Sequence, residues 1–309
     1  MRVLIAEDDP VSRRVLEAAL KKWGYDVLVA CDGDEAWQVF EAGDGPRLAV
    51  LDWMMPGKDG VEVSRLIRER GDEDYVYIIM LTAKGQKQDL IEGMAAGADD
   101  YVTKPFDAGE LRVRIRAAQR ILDLQDEIIA ARESLREQAT HDMLTGLLNR
   151  PAIIDTLQRA LDYAEREGST VGVVMADLDH FKQINDTHGH KAGDTVLREA
   201  SRRMRSVLRT YDSIGRYGGE EFLLVLPGCD EDGSMALAER VRCCLAGEPI
   251  RLCDDSLDVT VSLGVSVVQG GEHTSADSAI HAADDALYRA KDAGRNRCEC
   301  DRRTTAGAC

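Results

Sequence analysis

Residues Leu111–Thr140 contain neither glycine nor proline and are rich in Ala, Arg, Glu and Leu, which predicts one unbroken helix. It separates two differently patterned stretches, so the 309-residue chain reads as two domains joined by a helix. Two apolar seams run along that helix. Ile121, Leu124, Ile128, Ala131 and Leu135 are spaced 3-4-3-4 as in a coiled coil. Leu111, Ile115, Ala118, Leu122 and, past a polar Gln125, Ile129 make a second seam on a neighbouring face. Packing on the helix's own domain would cover one seam. Two overlapping seams suggest a parallel dimer that can pair in either of two registers.

The first 120 residues alternate apolar strands (Arg2–Ala6, Val27–Ala30, Leu48–Leu51, Tyr77–Leu81, Asp100–Thr103) with helix-period stretches such as Val11–Trp23 and Gly60–Arg70. Such alternation predicts a doubly wound parallel sheet, with ligands bound beyond the carboxyl ends of the strands. Glu7, Asp8 and Asp9 follow the first strand and Asp52 the third; Thr82 ends the fourth and Lys104 follows the fifth. Acids converging on one rim repel each other until a divalent cation relieves them, and a nearby lysine suits a phosphoryl group. Helix capping would explain one or two of the acids, but not the Thr and the Lys-Pro as well.

IAEDDP, LDWMMPGKDG, MLTAK and YVTKPF, in that order, resemble the receiver domain of two-component response regulators. The resemblance implies that Asp52 accepts a phosphoryl group from a histidine kinase, with one Mg²⁺ at Glu7, Asp8 and Asp52. It implies that Thr82 and Lys104 contact the phosphoryl group and that Tyr101 reorients on activation. Asp9 is left to start the next helix.

In the second half, the apolar run Thr170–Ala176 predicts a buried strand ending at Asp177-Leu178-Asp179. Ile214–Tyr217 and Glu221–Leu226 flank Gly218-Gly219 as a hairpin, in which glycine readily supplies positive φ. Helices are expected from Pro151 to Glu167, Asp194 to Leu208, Asp232 to Ala246 and Ala279 to Ala293, with a further strand over Val259–Val267. The fold is α/β with a largely antiparallel sheet. If the hairpin pairs beside the first strand, Asp177, Glu220 and Glu221 meet at one edge as hard oxygen ligands for Mg²⁺. Gly218 and Gly219 would let backbone approach a triphosphate. Taken alone, the double glycine and double glutamate describe a solvated turn better than a site; Asp177, Asn185, Asp194, Lys291 and Arg295 reverse that.

DMLTGLLNR, DLDHFKQINDTHGHKAGD, RYGGEEF and KDAGRN resemble the GGDEF family of diguanylate cyclases over residues 141–300. That family condenses two GTP into cyclic di-GMP and releases two pyrophosphates, on a palm-like fold similar to nucleotidyl cyclases and polymerases. By position, Asp177 and Glu220 would bind two Mg²⁺ per half-site, with the Leu178 carbonyl as a further ligand. Glu221 would assist the metal and deprotonate the attacking 3′-hydroxyl. Asn185 and Asp194 would read the guanine edge, while Lys182, Lys291, Arg295 and the backbone near Phe181 would hold phosphates. His188 stands where Tyr is usual. A two-fold product requires two facing domains, hence a homodimer. Arg209 and Asp212 match the family's inhibitory product site, with Arg240 completing the clamp. The rival reading is a non-catalytic cyclic di-GMP receptor, but neither the metal acids nor the glycines are missing. The expected organisation is a receiver over 1–120, a coiled-coil linker over 121–140, a cyclase over 141–302 and a frayed tail over 303–309.

A net charge of -17 argues against nucleic acid or anionic lipid as partners. The best apolar runs, Val76–Leu81 and Val171–Ala176, are strand-sized, so no membrane span is expected. Eight scattered cysteines lack zinc-site spacing and suggest reduced thiols in the cytoplasm.

Overall fold

The strand–helix alternation of the first half folds as β1 (Arg2–Ala6), α1 (Pro10–Lys22), β2 (Asp26–Ala30), α2 (Gly33–Glu41), β3 (Leu48–Asp52), α3 (Gly60–Glu69), β4 (Tyr77–Ala83), β5 (Asp100–Lys104) and α4 (Ala108–Thr140). The computed structural model describes residues 1–43, 45–71, 75–83, 94–252, 256–271 and 274–301, so the expected tail lies outside the described residues. The chain divides into two compact units, Met1–Arg132 and Glu133–Cys309.

In the first unit the strands are parallel, in the order β2-β1-β3-β4-β5. The Val, Ile and Leu runs of β1, β3 and β4 are buried on both faces, as the centre of a doubly covered sheet requires, while Val29 on the edge strand β2 is exposed. Because β1 and β3 are neighbours, the acids after β1 meet the Asp52 that ends β3. Asp9 caps α1, accepting the Ser12 backbone N–H at 2.7 Å. Gly60 packs α3 directly against β3: a Cβ there would lie 2.2 Å from the Asp52 carbonyl oxygen.

The structure changes the reading of α4. Leu111, Ile115, Ala118 and Leu122 are fully buried among Val3, Ile5, Val50, Ile79 and Val102 of the sheet. Those four positions are core and cannot pair with a second helix, while Ile129 at the end of the same seam is exposed. Heptad spacing describes an apolar stripe without saying what covers it. Gln119 accepts the Tyr25 hydroxyl at 3.1 Å, and Arg47 pairs with Asp126 at 2.5 Å, extending the attachment by another turn. Ile121, Leu124, Ile128 and Leu135 remain exposed.

The second unit continues as α5 (Arg150–Glu167), β6 (Thr170–Leu178), α6 (Phe181–His188), α7 (His190–Ser206), β7 (Ser213–Arg216), β8 (Glu221–Pro227), α8 (Glu231–Ala246), β9 (Ile250–Arg251), β10 (Ser256–Leu257), β11 (Val261–Gln269), α9 (Ala276–Asp292) and β12 (Cys298–Cys300). Its main sheet runs β12-β11-β6-β8-β7, antiparallel except for β11 with β12. One face packs on α6, α7 and α8 through Phe181, Val196, Met204, Leu237 and Val241. The other packs on α5 and α9 through Ile153, Leu157, Ile280, Ala283 and Leu287. Residues 181–193, outside the expected helices, are helical on both sides of a break at Gly189, whose φ of 81° stops α6 and starts α7.

Candidate active site

The antiparallel register of β6 and β8 sets Asp177 opposite Glu221. The Leu178 N–H donates to the Glu220 carbonyl at 3.2 Å, so the expected metal acids gather at one sheet edge. From the last turn of α9, Lys291 Nζ reaches 2.8 Å from Asp177 Oδ2. Burial pushes the Asp177 carboxyl up, and Lys291 and then Arg295 oppose it. Glu220 is raised by burial and then by the charge of Asp177. Negative charge is thus crowded and only partly compensated here, and hard oxygen donors so placed fit a divalent cation. Among the described residues, the group of three acids whose ligand oxygens all lie within 4.8 Å of one another is Glu7, Asp8 and Asp52; Asp177, Glu220 and Glu221 do not form such a group.

Gly218 and Gly219 do not adopt the positive φ expected of them. Gly218 instead makes room for a side chain, since a Cβ there would lie 2.3 Å from Glu221 Oε2. The turn is held by a residue the sequence reading passed over. Arg216 donates from Nε to the carbonyls of Gly218 and Gly219 at 3.2 and 3.1 Å, and from Nη2 to Gly219 at 2.8 Å. Its Nη1 meets both Asp142 carboxylate oxygens at 3.1–3.2 Å. Burial opposes ionisation of Asp142, but the Thr145 hydrogen bonds and Arg216 win and hold its carboxyl below the usual range. Asp179 was also missed. Buried, it accepts from Thr260 Oγ1 and Ser262 Oγ at 2.7 Å and from the Asn296 N–H at 3.1 Å, tying the Asp177 turn to the loop after α9. The doubled acid in Asp177-Leu178-Asp179 and the Arg directly before Tyr217 were the available signals.

Asn185 on α6 packs against α7 at Gly193, the residue before Asp194, where a Cβ would lie 2.0 Å from Asn185 Oδ1 and 3.1 Å from the Phe181 ring. Phe181 is buried, and Lys182 is exposed at the start of α6. Arg209 and Asp212 are linked by the Arg209 N–H donating to Asp212 Oδ2 at 2.9 Å. The Arg209 guanidinium is turned to the Tyr211 hydroxyl at 3.0 Å instead. They line a cleft of about 450 Å³ with Arg205 and His141. Arg240 binds the Val207 carbonyl.

At the first unit's sheet edge, Lys104 Nζ lies 2.8 Å from Glu7 Oε2 and 2.7 Å from Asp52 Oδ2. Glu7 is fully buried, and burial raises its carboxyl against the opposing pull of Lys104. For Lys104, burial works the other way, but hydrogen bonds to Asp52 and Glu7 prevail and raise it. Asp8 is exposed at the same cluster, and the three acids fit one divalent cation. Thr82 is buried with Oγ1 donating to the Ala83 carbonyl at 3.2 Å, and Tyr101 lies under Arg114 at 5.6 Å.

Comparison with known proteins agrees with this division. Residues 139–297 match the family described as "Diguanylate cyclase, GGDEF domain", and residues 3–116 match the "Response regulator receiver domain". Response regulator PleD of Caulobacter vibrioides is 29% identical over 297 residues, covering 96% of this chain and 64% of PleD. Diguanylate cyclase DgcP of Pseudomonas aeruginosa is 35% identical over 214 residues, 68% of this chain and 32% of DgcP. The chain therefore spans less than two-thirds of either relative. The coiled coil and GGDEF domain of DgcB from Caulobacter crescentus, solved in complex with c-di-GMP, superposes with a TM-score of 0.55 at 33% identity, covering 62% of this chain and 98% of that one. The chain belongs to the GGDEF diguanylate cyclase family, its family domain preceded by a response regulator receiver domain.

Proposed function

We propose that this protein is a phosphorylation-regulated diguanylate cyclase that condenses two GTP into cyclic di-GMP and two pyrophosphates across a homodimer. The observation that carries the reading is the Asp177–Glu221 register, with Lys291 and Arg295 brought to the same carboxylate edge. In this reading Asn185 and Asp194 hold the guanine edge. Lys182, Lys291, Arg295 and the backbone near Phe181 bind phosphates, and Gly218 and Gly219 admit the triphosphate. Glu221 takes the proton of the 3′-hydroxyl. That oxygen bonds to the partner nucleotide's α-phosphorus as the bond to pyrophosphate breaks, and a second such step closes the ring. Asp177, Glu220 and the Leu178 carbonyl would hold Mg²⁺, which supplies charge neutralisation on the phosphates.

The reaction needs alignment more than covalent chemistry, so misaligned half-sites are nearly inactive. We assign that alignment to the exposed seam of α4 as a dimer contact. Its control falls to Asp52, phosphorylated by a histidine kinase with Mg²⁺ at Glu7, Asp8 and Asp52. Thr82 and Lys104 answer the new charge, and Tyr101 follows. Arg209, Asp212 and Arg240 form the product brake. The working boundaries are a receiver over 1–120, a linker over 121–140 and a cyclase over 141–302, in the cytoplasm. No helix among the described residues is long and apolar enough to cross a membrane.

The test incubates the purified chain with Mg²⁺ and GTP, with and without a small acyl phosphate, and follows cyclic di-GMP and pyrophosphate. Product should appear, rise on phosphorylation and fall by about 100-fold or more in Glu220→Ala/Glu221→Ala. No product under phosphorylating conditions, with cyclic di-GMP binding retained, would replace the enzyme by a receptor.

A further inference from the structure

The loop after α9 carries two consecutive non-glycine residues in left-handed backbone, Arg295 at φ 61° and Asn296 at φ 46°. Side chains with a Cβ rarely rest there, so the surroundings must hold them. Three bonds do. The Arg295 N–H donates to the Ala290 carbonyl at 3.1 Å, and the Asn296 N–H to Asp179 Oδ2 at 3.1 Å. The third comes from α8, on the opposite side of the loop: Arg242 Nη1 donates to Asn296 Oδ1 at 2.9 Å.

Arg242 is itself fixed before it reaches the loop. Glu239, one turn earlier on α8, accepts from its Nε at 2.9 Å and its Nη2 at 2.6 Å, a two-pronged pairing that leaves Nη1 directed at Asn296. The side chain is only 21% exposed, so water competes poorly for it. Hydrogen bonds from Arg242 hold the Glu239 carboxyl down at about 2. The thiols of Cys243 and Cys298 point to the same carboxylate at 3.5 and 3.6 Å. None of these groups belongs to the set assigned to substrate, yet together they anchor the loop that bears Arg295.

We propose that Arg242 is a positioning residue: through Asn296 it fixes the left-handed backbone that aims Arg295 at the nucleotide's phosphates. The inference rests on the cyclase reading and adds to it a residue that acts on substrate only through another. Loss of Arg242 should therefore weaken a triphosphate more than a monophosphate, since it governs a phosphate ligand and not the base contacts at Asn185 and Asp194.

The experiment measures binding of 3′-deoxy-GTP, which lacks the attacking hydroxyl and cannot be cyclised, and of GMP, both with Mg²⁺ and the full chain. Arg242→Met, which keeps the aliphatic stem and removes every donor, should weaken 3′-deoxy-GTP about tenfold and leave GMP within about twofold. Asn296→Ala, on the exposed loop, should reproduce that selective loss, and Arg242→Met should add little to it in the double variant. If Arg242→Met fails to fold, Asn296→Ala alone carries the test. Equal weakening of both ligands, or a lower melting temperature with unchanged selectivity, would overturn the inference and leave Arg242 a structural residue. Failure of the unmodified protein to bind 3′-deoxy-GTP would instead overturn the cyclase reading.

Discussion

Lys291 Nζ lies 2.8 Å from Oδ2 of Asp177, the carboxylate we assign to Mg²⁺. The ammonium compensates the buried carboxylate, and under the proposed function a bound cation would compete with it. Lys291→Met should therefore bind Mn²⁺ in the absence of nucleotide more tightly, by roughly 3- to 10-fold, because the competitor is gone. The same variant should turn over GTP more slowly, having lost a phosphate ligand. Electron paramagnetic resonance of Mn²⁺ reads the first effect, and weaker Mn²⁺ binding would contradict it.

Two leucine-like positions six residues apart on α4 should behave oppositely. Leu122 is 3% exposed in the receiver core, whereas Ile128 is 66% exposed on the free seam. Leu122→Ala should destabilise the first unit by about 2–5 kcal/mol. Ile128→Lys should leave its thermal unfolding unmoved while lowering self-association in sedimentation and, with it, turnover. Equal loss of stability in both variants would place the Ile121–Leu135 seam in the core as well.

Stability should fall in acid partly through Glu199. Arg202 and Arg203 donate to its Oε1 at 2.6 and 2.8 Å, and these bonds, Arg202 first, bring its carboxyl from 4.5 to about 2. Between those values the unfolded chain binds more protons than the folded one, so stability rises with pH across the window. The contribution is fully present above about 4.5 and lost as pH falls through about 2. Melting temperatures taken between pH 5 and pH 2.5 should show a shallower acid slope for Glu199→Gln than for the unmodified protein.

The sequence carried the sheet orders' consequences well where they depended on runs and spacing. Apolar strands followed by acids led to Glu7 and Asp52 at one rim and to Asp177 facing Glu221 at another, because strand ends are a local property. What it could not carry were choices made by tertiary contact. The Leu111–Leu122 stripe looks the same whether a sheet or a second helix covers it. Gly218 reads as a turn former until Glu221 Oε2 is found where its Cβ would be. Residues 181–193 lack a clear helical period because Gly189 splits them into two short faces. Asp179 and Arg216 bind partners 83 and 74 residues away, beyond any window.

Arg216 does more to the turn than hold its shape. Among the described residues the cis peptide is Lys104–Pro105, so the links following Gly218 and Gly219 are trans. In a trans link the carbonyl and the next N–H point to opposite sides. Since Arg216 collects the carbonyls of Gly218 and Gly219, the N–H groups of Gly219 and Glu220 face away from the guanidinium. One half-buried arginine thereby sorts the dipoles of two peptides, oxygens toward it and hydrogens away. The rim beside the carboxylates acquires a polarity of its own, set by backbone and unaffected by pH.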